Sequence, residues 1–355
     1  MNLLKVVILL IKLILSCSLL AEPQESYSWT FPKDHGAHHQ FNTEWWYFTG
    51  HLNTKKQEVF GFELTFFRVD TNKVQNNNEW DIKNIYFAHF TITDETNQKF
   101  YFFERINRES FDMAGAKTET LHVWNGDWLV KLLGSQIKLN AKSSNIDLRL
   151  ELSQFSNIIL NGKNGYSIKN HEKTQASYYY SMPRIKGFGQ LEINNKKFEI
   201  DNASVWFDHE FFNSNITNQQ SSPYQQSVGA DYIGWDWFAI QLDDGRNLMI
   251  AKVRSESKEK DFYFGTLSYP NGDSKYINHN QINLIEQKYW VSSKTNIRYP
   301  SRWNIKIETL NIDIFVKPTL NNQELQLSKF KYWEGRASVN GTHRGNAYVE
   351  LVGYK

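Results

Sequence analysis

The chain of 355 residues sets 40 Lys+Arg against 38 Asp+Glu, for a formal net charge of +2, and is 40% hydrophobic and 22% charged. That length accommodates one large or two medium domains with cores of their own, and the balance excludes a largely disordered chain and the basic footprint of a nucleic-acid binder. A single cysteine excludes a disulfide scaffold, a cysteine-based zinc site and a CxxC redox centre.

The first segment, residues 1–21, carries Lys5, then an apolar run interrupted by Lys12, and ends in small and apolar residues before Glu22. This is the layout of a secretory signal peptide. A permanent transmembrane helix is the competing reading, against which the charge in mid-span and the shortness of the run both count. The mature chain is therefore expected in the periplasm or outside the cell. Ile14-Leu15-Ser16-Cys17 also resembles a lipoprotein box, and a lipid on Cys17 would tether the protein to a membrane.

From residue 28 onward, short runs of period-2 alternation are separated by turn residues, as at Asn125-Gly126-Asp127, Asp243-Asp244-Gly245 and Pro270-Asn271-Gly272. This pattern predicts antiparallel strands throughout. The 12 Trp, 18 Tyr and 24 Phe suit pleated, packed surfaces and point the same way, toward an all-β chain. An internal repeat sharpens the expectation. EWWYFTGHL at 44–52 aligns without gaps to GWDWFAIQL at 234–242, GFELTFFR at 61–68 matches NLMIAKVR at 247–254, and YFAHFTI at 86–92 faces YFGTLSY at 263–269. Three strands repeated in order predict a duplicated β domain, with boundaries at 29–215 and 229–355. The polar stretch 213–228, with Pro223, is the expected linker. Each copy holds about enough strands for an eight-stranded barrel or a strongly curved sheet, and barrels of that size can hold one small ligand.

Alternation assigns faces. Trp46, Phe48, Gly50 and Leu52 share a side in the first copy, as do Asp236, Phe238, Ile240 and Leu242 in the second. This apolar side is expected to line the barrel interior, with Asp236 at the inner mouth. A carboxyl desolvated there would have a raised pKa and could donate a proton near neutral pH; equally, it could be a structural Asp bonded to backbone or to an indole N–H. In WFDHEF at 206–211, Trp206, Asp208 and Glu210 share one face, while His209 points to the other with Phe207 and Phe211. The paired carboxylates could supply acid and base, or could cap a strand end. FPKDHGAHH at 31–39 offers metal-type ligands without any known metal spacing, so a loop in which Asp34 and the histidines hold backbone is the favoured reading and no metal is expected. Glu44 is a weaker acid/base candidate, and His89 reads as structural. The chain has no GxSxG elbow, Walker-type loop or GxGxxG, which leaves serine-triad and nucleotide chemistry without support.

The motifs FPKDHGAHH, EWWYFTGHL, GFELTFFR, YFAHF, WFDHEF, GWDWFAIQLDDGRNLM at 234–249 and YWEG at 332–335 together resemble the AttH-like family, the carotenoid 1,2-hydratase-related group of secreted hydrolase-like proteins. The resemblance runs from about residue 29 to the C-terminus. It implies two tandem lipocalin-like antiparallel β-barrels, and relatives that add water to isoprenoid double bonds, act as kievitone hydratase does, or shape polyene cyclisations. It also implies candidate residues. Asp236, Asp208 and His209 stand as catalytic, and Trp46, Phe48, Trp206, Trp237, Phe238, Asp34 and His35 as ligand-contacting. The family pattern usually reads DHEW, whereas Phe211 stands at the last position here. The resulting expectation is an exported enzyme acting on a hydrophobic, isoprenoid or lipid-like substrate by acid-catalysed hydration of a C=C bond, with no metal or organic cofactor. The alternative is a non-catalytic carrier of a lipid or isoprenoid.

Overall fold

A computed structural model describes residues 26–71, 82–154, 157–213, 232–328 and 331–355. The expected signal segment with Cys17, and all but the first residue of the expected linker, lie outside the described residues.

Strands follow one another almost without interruption: β1 (Thr43–Asn53), β2 (Val59–Asp70), β3 (Asn84–Asp94), β4 (Lys99–Arg108), β5 (Ala114–Ala116), β6 (His122–Asn125), β7 (Trp128–Leu133), β8 (Gln136–Ser143), β9 (Ile146–Gln154), β10 (Ile159–Leu160), β11 (Tyr166–Ile168), β12 (Ala176–Ile193) and β13 (Lys196–Phe212) form a first sheet. A second contains β14 (Tyr232–Leu242), β15 (Asn247–Ser255), β16 (Phe262–Ser268), β17 (Ser274–Ile277), β18 (Asn283–Val291), β19 (Arg298–Ile307), β20 (Ile312–Pro318), β21 (Glu324–Gln326), β22 (Lys331–Gly341) and β23 (Gly345–Val352). The helical elements among the described residues are short 3-10 turns.

The strand orders repeat. The first sheet runs β4-β3-β2-β1-β13-β12-β9-β8-β7-β6-β5, and the second runs β17-β16-β15-β14-β23-β22-β20-β19-β18. In each, the opening strand pairs with the next strand on one side and with the closing strand of the same sheet on the other. The first sheet curls until β4 returns against β5 and β6, nearly closing a barrel, and the second makes a more open one. The fold is all-β, two lipocalin-like barrels in tandem.

The alternation seen in the sequence builds both interiors. Trp46, Phe48 and Leu52 join Phe62, Leu64 and Phe207 in the first core, and Phe238, Ile240 and Leu242 join Leu248, Ile250 and Trp303 in the second. The opposite face of the opening strands is buried as well. β2 and β15 are covered along nearly their whole lengths, whereas the outlying β18 is exposed at most positions and buried at Leu284. The outward faces of the two sheets pack on each other, through Tyr47, Tyr179 and Trp206 from the first and Trp237, Ala239, Met249, Ala251, Phe264 and Tyr348 from the second. Strands covered on both sides lose the clean apolar/polar alternation of a half-exposed sheet.

Candidate active site between the barrels

The packed outward faces leave a cleft of about 80 Å³, room for several water-sized groups. Its walls are Trp45, Tyr47, Phe67, Lys169, Ser177, Tyr179, Asp208, Glu210 and Phe212 from the first barrel, and Trp235, Trp237, Ala251, Val253, Phe264 and Glu350 from the second. Strand registry sets the polar groups among the rings. Tyr47 lies opposite Asp208, Trp45 opposite Glu210, and Trp237 opposite Glu350.

Asp208 is almost sealed from solvent. Its Oδ1 accepts from Ser181 Oγ at 2.5 Å and Trp206 Nε1 at 2.7 Å, and Oδ2 lies 2.5 Å from the Tyr179 hydroxyl. Trp237 Nε1 in turn donates to the Tyr179 oxygen at 3.2 Å. Burial pushes the Asp208 carboxyl up to about 7, despite these donors, which favour its ionised form. Across the cleft, Glu350 accepts from Trp235 Nε1 at 3.0 Å, and burial likewise raises it to about 7, with Glu210 and Asp208 adding repulsion. Glu210 is held differently: Lys169 Nζ sits 2.6 Å from its Oε1 and over the rings of Tyr179 and Phe264 at 4.9 and 4.6 Å. Deeper in the same layer, burial raises Glu63 to about 8 and Glu334 well above the usual range. The cleft therefore presents two carboxyl groups that titrate near neutral pH, a neutralised ion pair, and aromatic walls.

The other sequence candidates lie elsewhere. Trp46, Phe48 and Phe238 are sealed inside the barrel cores and are not on the walls of the cleft. Asp236 faces the second interior, where its carboxylate takes Arg254 Nε at 2.9 Å and the Tyr354 hydroxyl at 2.9 and 3.1 Å. Burial raises its pKa against the pull of Arg254 and Lys252, but it does not reach the cleft. Asp236 therefore sits at the second barrel's interior as expected, apart from the interbarrel cleft. His209 cannot assist Asp208 either, because consecutive strand residues point to opposite faces. Its Nε2 meets Glu44 Oε1 at 2.9 Å inside the first barrel, and its ring stacks on Trp46. Of the remaining candidates, Trp237 lines the cleft and Trp206 stands behind Asp208 as a donor.

Asp34 belongs with His209 in a buried polar network at the first barrel's mouth. His38 bridges Asp34 and Glu44 through Nε2 at 3.2 Å and Nδ1 at 2.8 Å, and Arg68 Nε donates to Glu44 at 3.0 Å. Burial alone would lower His38, but its two carboxylate partners raise it. Burial alone would raise Glu44, but Arg68, His209 and His38 hold it well below its ordinary value. His38, Glu44 and His209 could offer a metal three atoms within 4.8 Å of one another. Those atoms already bond to each other, and the Arg68 guanidinium and a charged His38 supply the positive charge, so the cluster is complete as a network. Asp34 also accepts from the Thr30 N–H, the loop-holding role expected for it. His35 lines a separate cavity.

Sequence reasoning passed over Glu350, Lys169, Tyr179 and Tyr47. A signal existed. Trp45/Tyr47 and Trp235/Trp237 recur on the face opposite the barrel interior in both copies, and large aromatic pairs left outside a barrel point to a second packing surface.

A tandem-barrel, lipocalin-like fold with an acid-bearing aromatic cleft between its sheets defines the class. The chain belongs to the AttH-like family, whose sequence model matches residues 22–354. Among solved structures it is similar to an AttH protein of Nitrosomonas europaea, with 27% identity over 94% of this chain and 99% of that one and a TM-score of 0.83. It shares its fold with kievitone hydratase of Nectria haematococca at 14% identity over 93% and 97% of the two chains and a TM-score of 0.69. It also shares it with CghA solved with Sch210972, at 9% identity over 88% of each chain and a TM-score of 0.51. No curated protein matches its sequence.

Proposed function

We propose that the interbarrel cleft binds an apolar, unsaturated small molecule and adds water across one of its C=C bonds, with Asp208 and Glu350 as the acid/base pair. The observation that carries this reading is two carboxyl groups on facing walls, both raised to about 7 by burial, among aromatic rings. At neutral pH one can hold a proton while the other is ionised, the division of labour that acid/base chemistry requires. The proton kept by Asp208 reaches the cleft through the Tyr179 hydroxyl, 2.5 Å away and oriented by the Trp237 indole. As the π bond takes that proton at one carbon, positive charge develops on the other, facing Trp45, Tyr47 and Trp237. Such rings stabilise a desolvated cation by about 2 kcal/mol or more. Water attacks that carbon while Glu350 accepts its proton, and exchange with solvent returns both carboxyls to their starting forms. The likeness in fold to kievitone hydratase is consistent with this class of reaction. The signal-type layout of residues 1–21 supports a reading in which the reaction runs outside the cytoplasm, with Cys17 as the point of any lipid tether.

The test is incubation with a panel of isoprenoid alkenes in ¹⁸O-labelled water, followed by mass spectrometry. A product carrying one labelled water is expected from the wild-type chain. Asp208→Asn and Glu350→Gln should each lower turnover by about 10²-fold or more while binding is retained. Full activity in both variants would overturn the assignment, and substrate bound but recovered unchanged would leave the carrier reading standing.

A further inference from the structure

Glu210 and Lys169 stand on the wall of the cleft, and the proposed reaction uses neither. Glu210 is 6% exposed, and its two oxygens are unequally engaged. Oε1 takes Lys169 Nζ at 2.6 Å and the Ser177 hydroxyl. Oε2 meets no hydrogen-bond donor among the described residues. A carboxylate held in an ion pair can only accept, so this oxygen offers one thing to a ligand. A buried acceptor without a donor is costly, and a ligand that brings the donor recovers the loss.

The other polar groups of the cleft are committed. The Tyr47 hydroxyl donates to Glu334, the Tyr179 hydroxyl to Asp208 and the Trp235 indole to Glu350. Registry sets Glu210 beside the proton donor of the proposed reaction. It lies opposite Tyr179 across β12 and β13, and Asp208 lies two residues away on the same face, about 7 Å along the strand. Lys169, 4.9 Å over the Tyr179 ring, already places a positive charge next to Glu210. A second cation would be repelled there, so the donor that Oε2 calls for is a neutral group.

We infer, resting on the hydration reading of the cleft, that its substrate is an unsaturated alcohol whose hydroxyl, one or two carbons from the C=C bond, donates to Glu210 Oε2. The aromatic walls hold the apolar body, and the anchored hydroxyl fixes which carbon faces Tyr179.

The probes are 3-methyl-2-buten-1-ol and its methyl ether, which keeps the oxygen and loses the donor. Binding is read by NMR titration of the full chain, and turnover is followed separately in labelled water. The alcohol should bind about tenfold more tightly than the ether, the effect of one hydrogen bond to a charged group. The double variant Glu210→Leu/Lys169→Met exchanges the ion pair for apolar groups of similar size and should bind both probes equally. A preference caused by the bulk of the extra methyl would survive it. Ala251→Trp, which fills the cleft, should abolish binding of both probes. Equal affinities in the wild type, a preference that survives the double variant, or alcohol binding indifferent to Ala251→Trp would each overturn the inference. Should one variant not fold, the wild-type preference and the other variant still decide. An alcohol preferred in the cleft but never hydrated would count against the hydration step and leave the alcohol site standing. Equal affinities with turnover intact would overturn the hydroxyl anchor alone.

Discussion

Arg68 and Arg254 occupy equivalent places in the two copies, and each meets a carboxylate from the opening strand of its barrel. In the first copy the partner is Glu44, and in the second it is Asp236, two positions further along. Each pair neutralises charge inside a barrel mouth, and each is costly to break. Arg254→Met is expected to destabilise the chain by about 3–5 kcal/mol, because Asp236 would remain buried without its partner. Asp236→Asn combined with Arg254→Met should recover most of that loss in chemical denaturation. A single variant as stable as the wild type would remove the structural role assigned to the pair. Alternation placed Asp236 on the same face as Phe238, Ile240 and Leu242 from sequence alone. Its partner was not legible there, because Arg254 reaches it from the neighbouring strand and only the pairing register brings the two together.

At the scale of strands, burial on both faces separates the inner strands from the outlying ones. Ala239, on the outward face of β14, sits 3% exposed in the layer between the barrels, whereas Ile285 of β18 is 49% exposed. Ala239→Lys, which forces a charge into that layer, should cost about 3 kcal/mol or more. Ile285→Lys should stay within about 0.5 kcal/mol. Comparable losses in both variants would mean that the two faces do not pack as described. The repeat made the strand types, their order and the inward residues readable, because local alternation encodes them. The covering of the outward faces depends on how one barrel docks on the other, and no local period records that. This is why the sequence points to Trp46, Phe48 and Phe238 as ligand contacts and gives no sign of Tyr179 and Glu350.

At the scale of the molecule, the layer between the barrels stores protons. Burial raises Asp208 and Glu350 to about 7 and Glu63 to about 8, from ordinary values of 3.8 and 4.5. Between those values and the raised ones, the folded chain holds more protons than the unfolded chain, so stability falls as pH rises through the folded pKa values. Buried histidines act in the opposite sense. His35 and His89 are lowered by burial to about 4 and about 3, so their contribution rises with pH up to the ordinary value of 6.5. Above pH 6.5 the carboxyls dominate. Stability should decline from there to about pH 8 by up to about 1.4 kcal/mol per pH unit for each retained proton, read as a falling melting temperature. Glu63→Gln should flatten the decline. A melting temperature that climbs over this interval would contradict the shared burial of these groups.

The central claim is that a carboxyl in the interbarrel cleft keeps its proton at neutral pH, and difference infrared spectroscopy of the wild-type chain against Asp208→Asn tests it most directly. The account predicts a protonated-carboxyl band, absent from the variant, that persists at pH 6 and disappears with a midpoint at about 7. An Asp208 already ionised by pH 5 would contradict it.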